Sequence, residues 1–395
     1  MATSTAEAKR PNPSAPGVNK PFRAEHVGSL LRPIELQRQR ERLLGAHTFD
    51  HAIGGHDNAE LRAVEDAAIE DAIRLQEGVG LEVITDGEFR RRTWWTDFVL
   101  GFDGIVENTG IESSIVFQDK AGHRRSIPSV KVADKIRWSK PIMREPFEFL
   151  RSRTKRTPKL TIPAPTNVHY FVGARAGIDK GTYPDLNIFF SDLAEAYSKE
   201  VQDLAKAGCR YLQLDDVTIA FLCDPSRQEQ VRSWGYEPAE LLKRYIDLFN
   251  RSVANRPKDM TIGFHICRGN ASSHWGAAGG YEPVAERLFN DMDVNAFFLE
   301  YDSARAGGFE PLRFLPGGKY VVLGLVTTKD PDLEAADDLK RKIELASKFA
   351  PLDQLALSPQ CGFASNYIGN PVTIDDERKK LALVVQVARE IWGEK

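Results

Sequence analysis

The chain has 395 residues, with 53 Lys and Arg against 56 Asp and Glu and a formal net charge of −3. That near balance gives no electrostatic reason to expect nucleic acid or an anionic membrane as a partner. An apolar share of 42% suits a globular protein with a substantial core, and four cysteines do not suggest a disulfide framework, so reduced thiols in a cytosol-like compartment are expected.

Residues 1–20 are polar and rich in Pro, Ser and Ala, without the apolar run of a secretory signal. A disordered tail is expected there, followed by one domain over 21–395. No stretch approaches the roughly 18–20 apolar residues of a membrane span. In chain order, FRAEHVG (22–28) reads as a first strand. A helix over 60–77 follows, with Leu61, Val64, Ala68, Ile69, Ala72 and Ile73 on one face. Asp57 and Glu60 are spaced as its capping box, and Gly78 and Gly80 close it before LEVITDGE (81–88).

Residues 99–158 form a much longer connection, with a β-like hairpin around Gly122 and a helix over EPFEFLRSR (145–153). Because it leaves a strand's C-terminal end, it is expected to overhang the mouth of the fold as a lid or wall. Its Lys120, Arg124, Arg125, Lys131, Lys135 and Arg137 fit either a solvated loop or contact with an anionic substrate. Strand candidates then continue at KLTIPAPT (159–166), YLQLDD (211–216), TIGFHIC (261–267), AFFLEYD (296–302), YVVLGLVT (320–327) and LALSPQCG (355–362). Helical periodicity fills roughly 190–207, 237–255, 281–290, 333–349 and 376–392, and Gly208 caps the first of these. Strands alternating with helices imply crossovers and a parallel sheet, and about eight such units imply an α/β chain folded as a (β/α)8 TIM barrel.

In such barrels the active site lies at the C-terminal ends of the strands. Here those ends carry His26, Gly28 and Ser29; Asp86 and Glu88; Thr166; Asp215 and Asp216; His265 and Cys267; Glu300 and Asp302; Thr327; and Cys361. His265, Cys267, Glu300 and Cys361 supply an imidazole, a carboxylate and two thiols, the ligand types of four-coordinate zinc. Residues i and i+2 share a strand face, so His265 and Cys267 project together, and Glu300 and Cys361 can close on the same point. Structural zinc sites are often built from clustered C-x-x-C pairs, whereas these ligands are dispersed over three strands at a functional rim. Cys209 and Cys223 are expected to pack in the core. Trp94 and Trp95 would either cover a flat substrate or anchor their loop, and Arg90, Arg91 and Arg92 are expected to include at least one carboxylate partner.

The segments FRAEHVGSLLRP, VITDGEFRR, LQLDD, GFHICRGN, FFLEYDS and LSPQCGFAS resemble the cobalamin-independent methionine synthase family over nearly the whole chain past residue 22. The resemblance is closer to single-barrel proteins akin to that enzyme's C-terminal half. It implies a catalytic Zn2+ on His265, Cys267, Glu300 and Cys361. It also implies homocysteine bound by Gly28, Ser29, Glu88 and Asp215, the last holding the substrate amino group. Thr166 and Tyr170 are further expected substrate contacts, Tyr170 standing where the family has an aromatic platform of Trp. Thr327 stands where the family has a His that helps protonate a departing folate nitrogen.

The function this implies is a cytoplasmic, zinc-dependent methyltransferase of methionine biosynthesis. It would activate a thiol, homocysteine first, for SN2 displacement of a methyl group. Its partners would be a small-molecule thiol and a methyl donor. For the donor, methyltetrahydrofolate and its polyglutamate come first, with a methylated corrinoid protein or another methyl compound also open. The competing readings are a zinc alkyltransferase joining another thiol to a different electrophile, a decarboxylase on a related barrel, and a non-catalytic zinc-binding barrel. Glu88 with Asp215 suits an ammonium group better than the sulfonate of an alternative thiol. No helix face is apolar enough to name an oligomer interface.

Overall fold

The computed structural model describes residues 20–45, 58–108, 116–118, 122, 124–126 and 129–393, the side chains of 116–118 and 124–126 excepted. Residues 1–19 of the expected tail, Asp57, Lys120 and the side chains of Arg124 and Arg125 lie outside that description. The strands are β1 (Val83–Ile84), β2 (Asp103–Glu107), β3 (Val116–Gln118), β4 (Arg124–Ser126), β5 (Val130–Arg137) and β6 (Thr157–Pro158). They continue with β7 (Leu160–Pro163), β8 (Tyr211–Asp216), β9 (Thr261–Ile266), β10 (Ala296–Glu300), β11 (Tyr320–Val326) and β12 (Leu355–Pro359).

β7 to β12 form one parallel sheet in sequence order. β1 pairs in parallel with β6, and Lys159 N–H donates to the Ile84 carbonyl at 2.8 Å, which carries the β1 contact on to the start of β7. On the other edge, Ala24 bridges Leu357 of β12, with Glu25 N–H donating to the Leu357 carbonyl at 2.8 Å. The segment 22–28 and β1 meet through Thr85 Oγ1 donating to the Gly28 carbonyl at 2.6 Å and Leu30 N–H donating to the Gly87 carbonyl at 3.1 Å. All eight expected segments therefore take their places in an α/β fold of TIM-barrel type. The first two are shortened for a local reason. Gly28 (φ 140°) ends the first, while Gly87 and Glu88 (φ 65° and 62°) turn the chain soon after β1.

Helices cover the outside. Ala59–Val79 buries Leu61, Ala68, Ile69, Ala72 and Ile73, as its periodicity requires. Its N-cap is Asn58, whose side chain accepts from Leu61 N–H, and not the Asp57–Glu60 pair; Gly78 lies inside the helix, and Gly80 (φ 95°) is the left-handed cap. Inside the strands, Val83, Tyr211, Ala296, Phe298, Tyr320, Val322 and Ala356 form a separate apolar plug from alternate strand positions.

The insertion contains an antiparallel β2–β5 pair, the β3–β4 hairpin and a helix, Arg144–Arg153. Its described part braces the helix Leu186–Lys206. Trp138 Nε1–H donates to Glu200 at 2.6 Å, and Arg144 pairs with Asp203. Among the described residues, none of 99–158 lines the central cavity, so the overhang expected of this segment is not seen there. No helix of the described residues is long and apolar enough to cross a membrane.

Candidate metal centre and active site

The end of β9 delivers His265 and Cys267, and the chain leaving β12 delivers Cys361. One ligand atom from each lies within 4.8 Å of the others, and all three residues are buried. The two sulfurs are 3.4 Å apart. That is far beyond the roughly 2.05 Å of a disulfide and near the spacing of two sulfurs at about 2.3 Å from one tetrahedral zinc. His265 Nδ1 lies 3.3 Å from the Phe298 carbonyl. A carbonyl only accepts, so Nδ1 carries the proton and Nε2 presents a lone pair. That buried Nε2 makes no well-formed hydrogen bond, while the Cys361 sulfur lies close enough to favour a proton on the ring. An orphaned imidazole nitrogen facing two thiols is the chemistry that a zinc ion satisfies, so the residues present fit the metal.

The hydrogen bond between the thiols holds Cys361 well below the usual thiol range and pushes Cys267 well above it, as one shared proton requires. Gly269 N–H donates to Cys267 Sγ at 3.1 Å, which favours the thiolate form there. Glu300, the fourth expected ligand, ends β10 beside this cluster and outside its 4.8 Å group. One carboxylate oxygen accepts from Arg268 N–H at 2.9 Å. Burial raises the Glu300 pKa, and the Lys329 ammonium opposes that shift.

Lys329 is a residue the sequence reading missed. Its ammonium is buried without a hydrogen-bond partner and interacts with the charges of Glu300, Asp302, Cys267 and Cys361. An uncompensated buried ammonium is costly, so a surplus of negative charge at the site is what makes it tolerable. The only sequence signal was its place two residues past Thr327.

Ser29, Glu88 and Asp215 line the same cavity as the three metal-site residues. Gly28 supports them from behind: a Cβ there would sit 2.5 Å from the Thr161 side chain, at a φ that favours glycine. Gly362, next to Cys361, passes so close to Ser29 that its added Cβ would overlap Oγ. Glu88 holds a left-handed φ of 62°, an uncommon conformation for a residue with a side chain, of the kind that concentrates at functional sites. One of its oxygens accepts from Thr161 Oγ1 at 2.6 Å and lies 3.4 Å from Arg91; the other is buried without a partner. Asp215 is pushed up to about 7, first by burial and then by the Glu88 charge, against the pull of His265. Two crowded carboxylates with unfilled acceptor capacity form a receptor for a cation.

The opposite wall is made of loops. Arg92, Trp94 and Trp95 line the cavity together with Asn366, Tyr367 and Ile368. A Thr93–Asn366 bridge joins the two loops, with Trp94 N–H donating to the Ser365 carbonyl at 3.0 Å and Tyr367 N–H to the Arg92 carbonyl at 2.8 Å. Trp95 is buried with its ring 4.6 Å from Phe171, so it both anchors the loop and lines the cavity; Trp94 is half-buried. All three arginines pair with carboxylates: Arg90 with Glu65 and Asp66, Arg91 with Glu88, and Arg92 with Asp97 and Glu107.

Three expected residues stand off the cavity. Thr166 is fully buried and donates to Asp216, which does line the cavity, so it orients a neighbour and does not itself line the cavity. Tyr170 is fully buried against Phe221 and Trp234, at ring distances of 5.1 and 5.0 Å, and presents no face to the cavity. Thr327 is occupied by local bonds: its N–H donates to Glu334, and its hydroxyl accepts from Lys329 N–H. Cys209 and Cys223 are buried in the core, as expected.

Residues 46–390 match the family model described as the cobalamin-independent synthase catalytic domain. The uncharacterized protein YxjH of Bacillus subtilis is 41% identical over 374 residues, covering 94% of this chain and 95% of its own length. A methionine synthase of Pyrococcus abyssi is 25% identical over 300 residues, 76% of each chain. A solved structure from Listeria monocytogenes, provisionally assigned as a vitamin-B12-independent methionine synthase, superposes with a TM-score of 0.73 at 35% identity, covering 95% of this chain and 99% of that one. The chain therefore belongs to the cobalamin-independent methionine synthase family, as a member of its catalytic-domain type.

Proposed function

We propose that this protein is a zinc-dependent methyltransferase that methylates the sulfur of homocysteine. The observation that carries the reading is the pair of thiols beside an orphaned His265 Nε2, in one cavity with Ser29, Glu88 and Asp215. His265, Cys267 and Cys361 would hold the ion, with Glu300 the nearby carboxylate. Zinc, when bound, would keep a substrate thiol in its nucleophilic thiolate form at neutral pH.

The protein's own groups do the rest. Glu88 and Asp215 neutralise the α-ammonium, and Ser29 meets the carboxylate. Together they fix the amino acid so that its sulfur points at the metal end. Lys329 and Arg268 offset the negative charge of the thiolates and of Glu300. The tryptophan wall bounds the space where a methyl donor must approach in line with the sulfur. With Thr327 bonded locally, this chain has no group at that position to protonate a leaving nitrogen, so folates and donors that need no such proton are both to be tried. Two thiols that must stay reduced set the working compartment as cytosol-like.

The test is methionine formation by zinc-loaded protein from homocysteine, with methyltetrahydrofolate, its triglutamate and a methylated corrinoid offered in turn. Methionine from one donor, abolished by a chelator and restored by zinc, supports the reading. No methionine from any of them, with zinc and homocysteine both bound, points to another electrophile.

A further inference from the structure

Below the cavity, the barrel interior holds a buried polar chain that no step above uses. Lys159 Nζ, fully buried, donates to Glu25 Oε2 at 3.1 Å, to Gln213 Oε1 at 3.2 Å and to the His26 carbonyl. Tyr211 hydroxyl donates to the other Glu25 oxygen at 2.7 Å. Gln213 Nε2 donates to the Val27 carbonyl at 2.6 Å and to Asp215 Oδ1 at 2.7 Å. Gln213 is itself fully buried.

The partners fix the direction of this chain without ambiguity. An ammonium has only donors, so the side of Gln213 facing Lys159 must be the amide oxygen. The Val27 carbonyl only accepts, so the other side must be the NH2 group. Lys159 and Val27 together lock the amide against flipping, and the second N–H has one acceptor left, Asp215. An amide N–H only donates, so Asp215 Oδ1 meets Gln213 as an acceptor. Its other oxygen makes no hydrogen bond among the described residues and belongs to a residue lining the cavity.

We propose that Gln213, its amide pinned by Lys159, is a positioning residue that orients the Asp215 carboxylate to receive the ammonium group of an amino-acid thiol. This rests on the amino-acid acceptor reading above and adds the device that sets the acceptor's geometry. The ion pair in the barrel floor is thereby linked through one amide to the specificity of the cavity.

The experiment is calorimetric titration of zinc-loaded protein with homocysteine and with the same thiol lacking its α-amino group, 4-sulfanylbutanoate. The variants are Gln213→Met, which removes the donor at similar size, and Gln213→Glu, which keeps the Lys159 bond but turns an oxygen toward Asp215. Zinc content and circular dichroism check that each is folded and loaded. Both variants are expected to weaken homocysteine binding at least about tenfold, as loss of a hydrogen bond to a charged group does, while the deamino thiol changes less than about twofold. Equal weakening of both thiols, or homocysteine affinity within about twofold of wild type in Gln213→Met, overturns the proposal. If the wild-type protein binds the deamino thiol as tightly as homocysteine, it is the amino-acid acceptor reading itself that fails.

Discussion

The two ends of the cavity are built differently. At the metal end, His265, Cys267 and Glu300 sit at the ends of adjacent parallel strands, where the ladder fixes each side chain relative to its neighbours: Ala296 to Leu299 pair with Gly263 to Ile266. At the other end, Arg92, Trp94 and Trp95 ride on a loop held by residues more than 270 positions away, through the bond of Trp94 to Ser365. Strand register gives the chemistry a rigid seat, while the wall is held by bonds between two loops. The metal end should therefore govern whether any thiol is activated, and the loop end which donor is used.

The largest expected effect is at the metal end. Cys361→Ala or Cys267→Ala removes a proposed ligand, so zinc affinity should fall beyond the ~10–100-fold typical of changes behind the ligands. Metal content after dialysis reads this, and activity should vanish with it. Asp215→Asn comes next. It should raise KM for homocysteine by ~10–100-fold, as expected for losing a charged hydrogen bond of ~1.5–3 kcal/mol, with zinc content unchanged.

Trp94→Ala tests the other end. It should raise KM for the methyl donor while leaving the homocysteine Kd within ~2-fold; a change in homocysteine binding instead would break the division between the two ends. Behind the Ser29 loop, Glu377 accepts from Leu31 N–H at 2.8 Å, and burial pushes its pKa up to about 8 against that bond. The unfolded chain ionises this group near the ordinary carboxyl value of 4.5, so between there and about 8 the native state binds more protons, and stability falls as pH rises. Glu377→Gln should leave Tm unchanged near the lower limit and raise it by ~2–4 °C per kcal/mol gained at the upper limit. The smallest effect is expected for Tyr170→Phe. Its hydroxyl has no partner and its ring no face to the cavity, so kinetics should stay within ~2-fold.

What the sequence made legible follows the same division. The eight strand segments could be read because short apolar runs between helical patterns are local signals, and His265 with Cys267 because residues i and i+2 share a strand face; Cys361 joined them through the barrel reading. Glu88 and Asp215 came through resemblance, and the structure puts both in the cavity. Tyr170 and Thr166 were misplaced because the turn after β7 becomes a helix, Thr166–Phe171, that buries both side chains, which no local pattern announces. The charge role of Lys329 and the fixed amide of Gln213 depend on partners from several strands. Nothing in VTTK or YLQLDD alone shows that one side chain is buried without a partner, or that the other is clamped by Lys159.

The most direct test of the central claim is X-ray absorption at the zinc edge of purified protein, with and without homocysteine. Two sulfur ligands in the free protein, rising to three when the amino-acid thiol is added, are what the site predicts. An unchanged sulfur count, or no zinc retained after reconstitution, would contradict it.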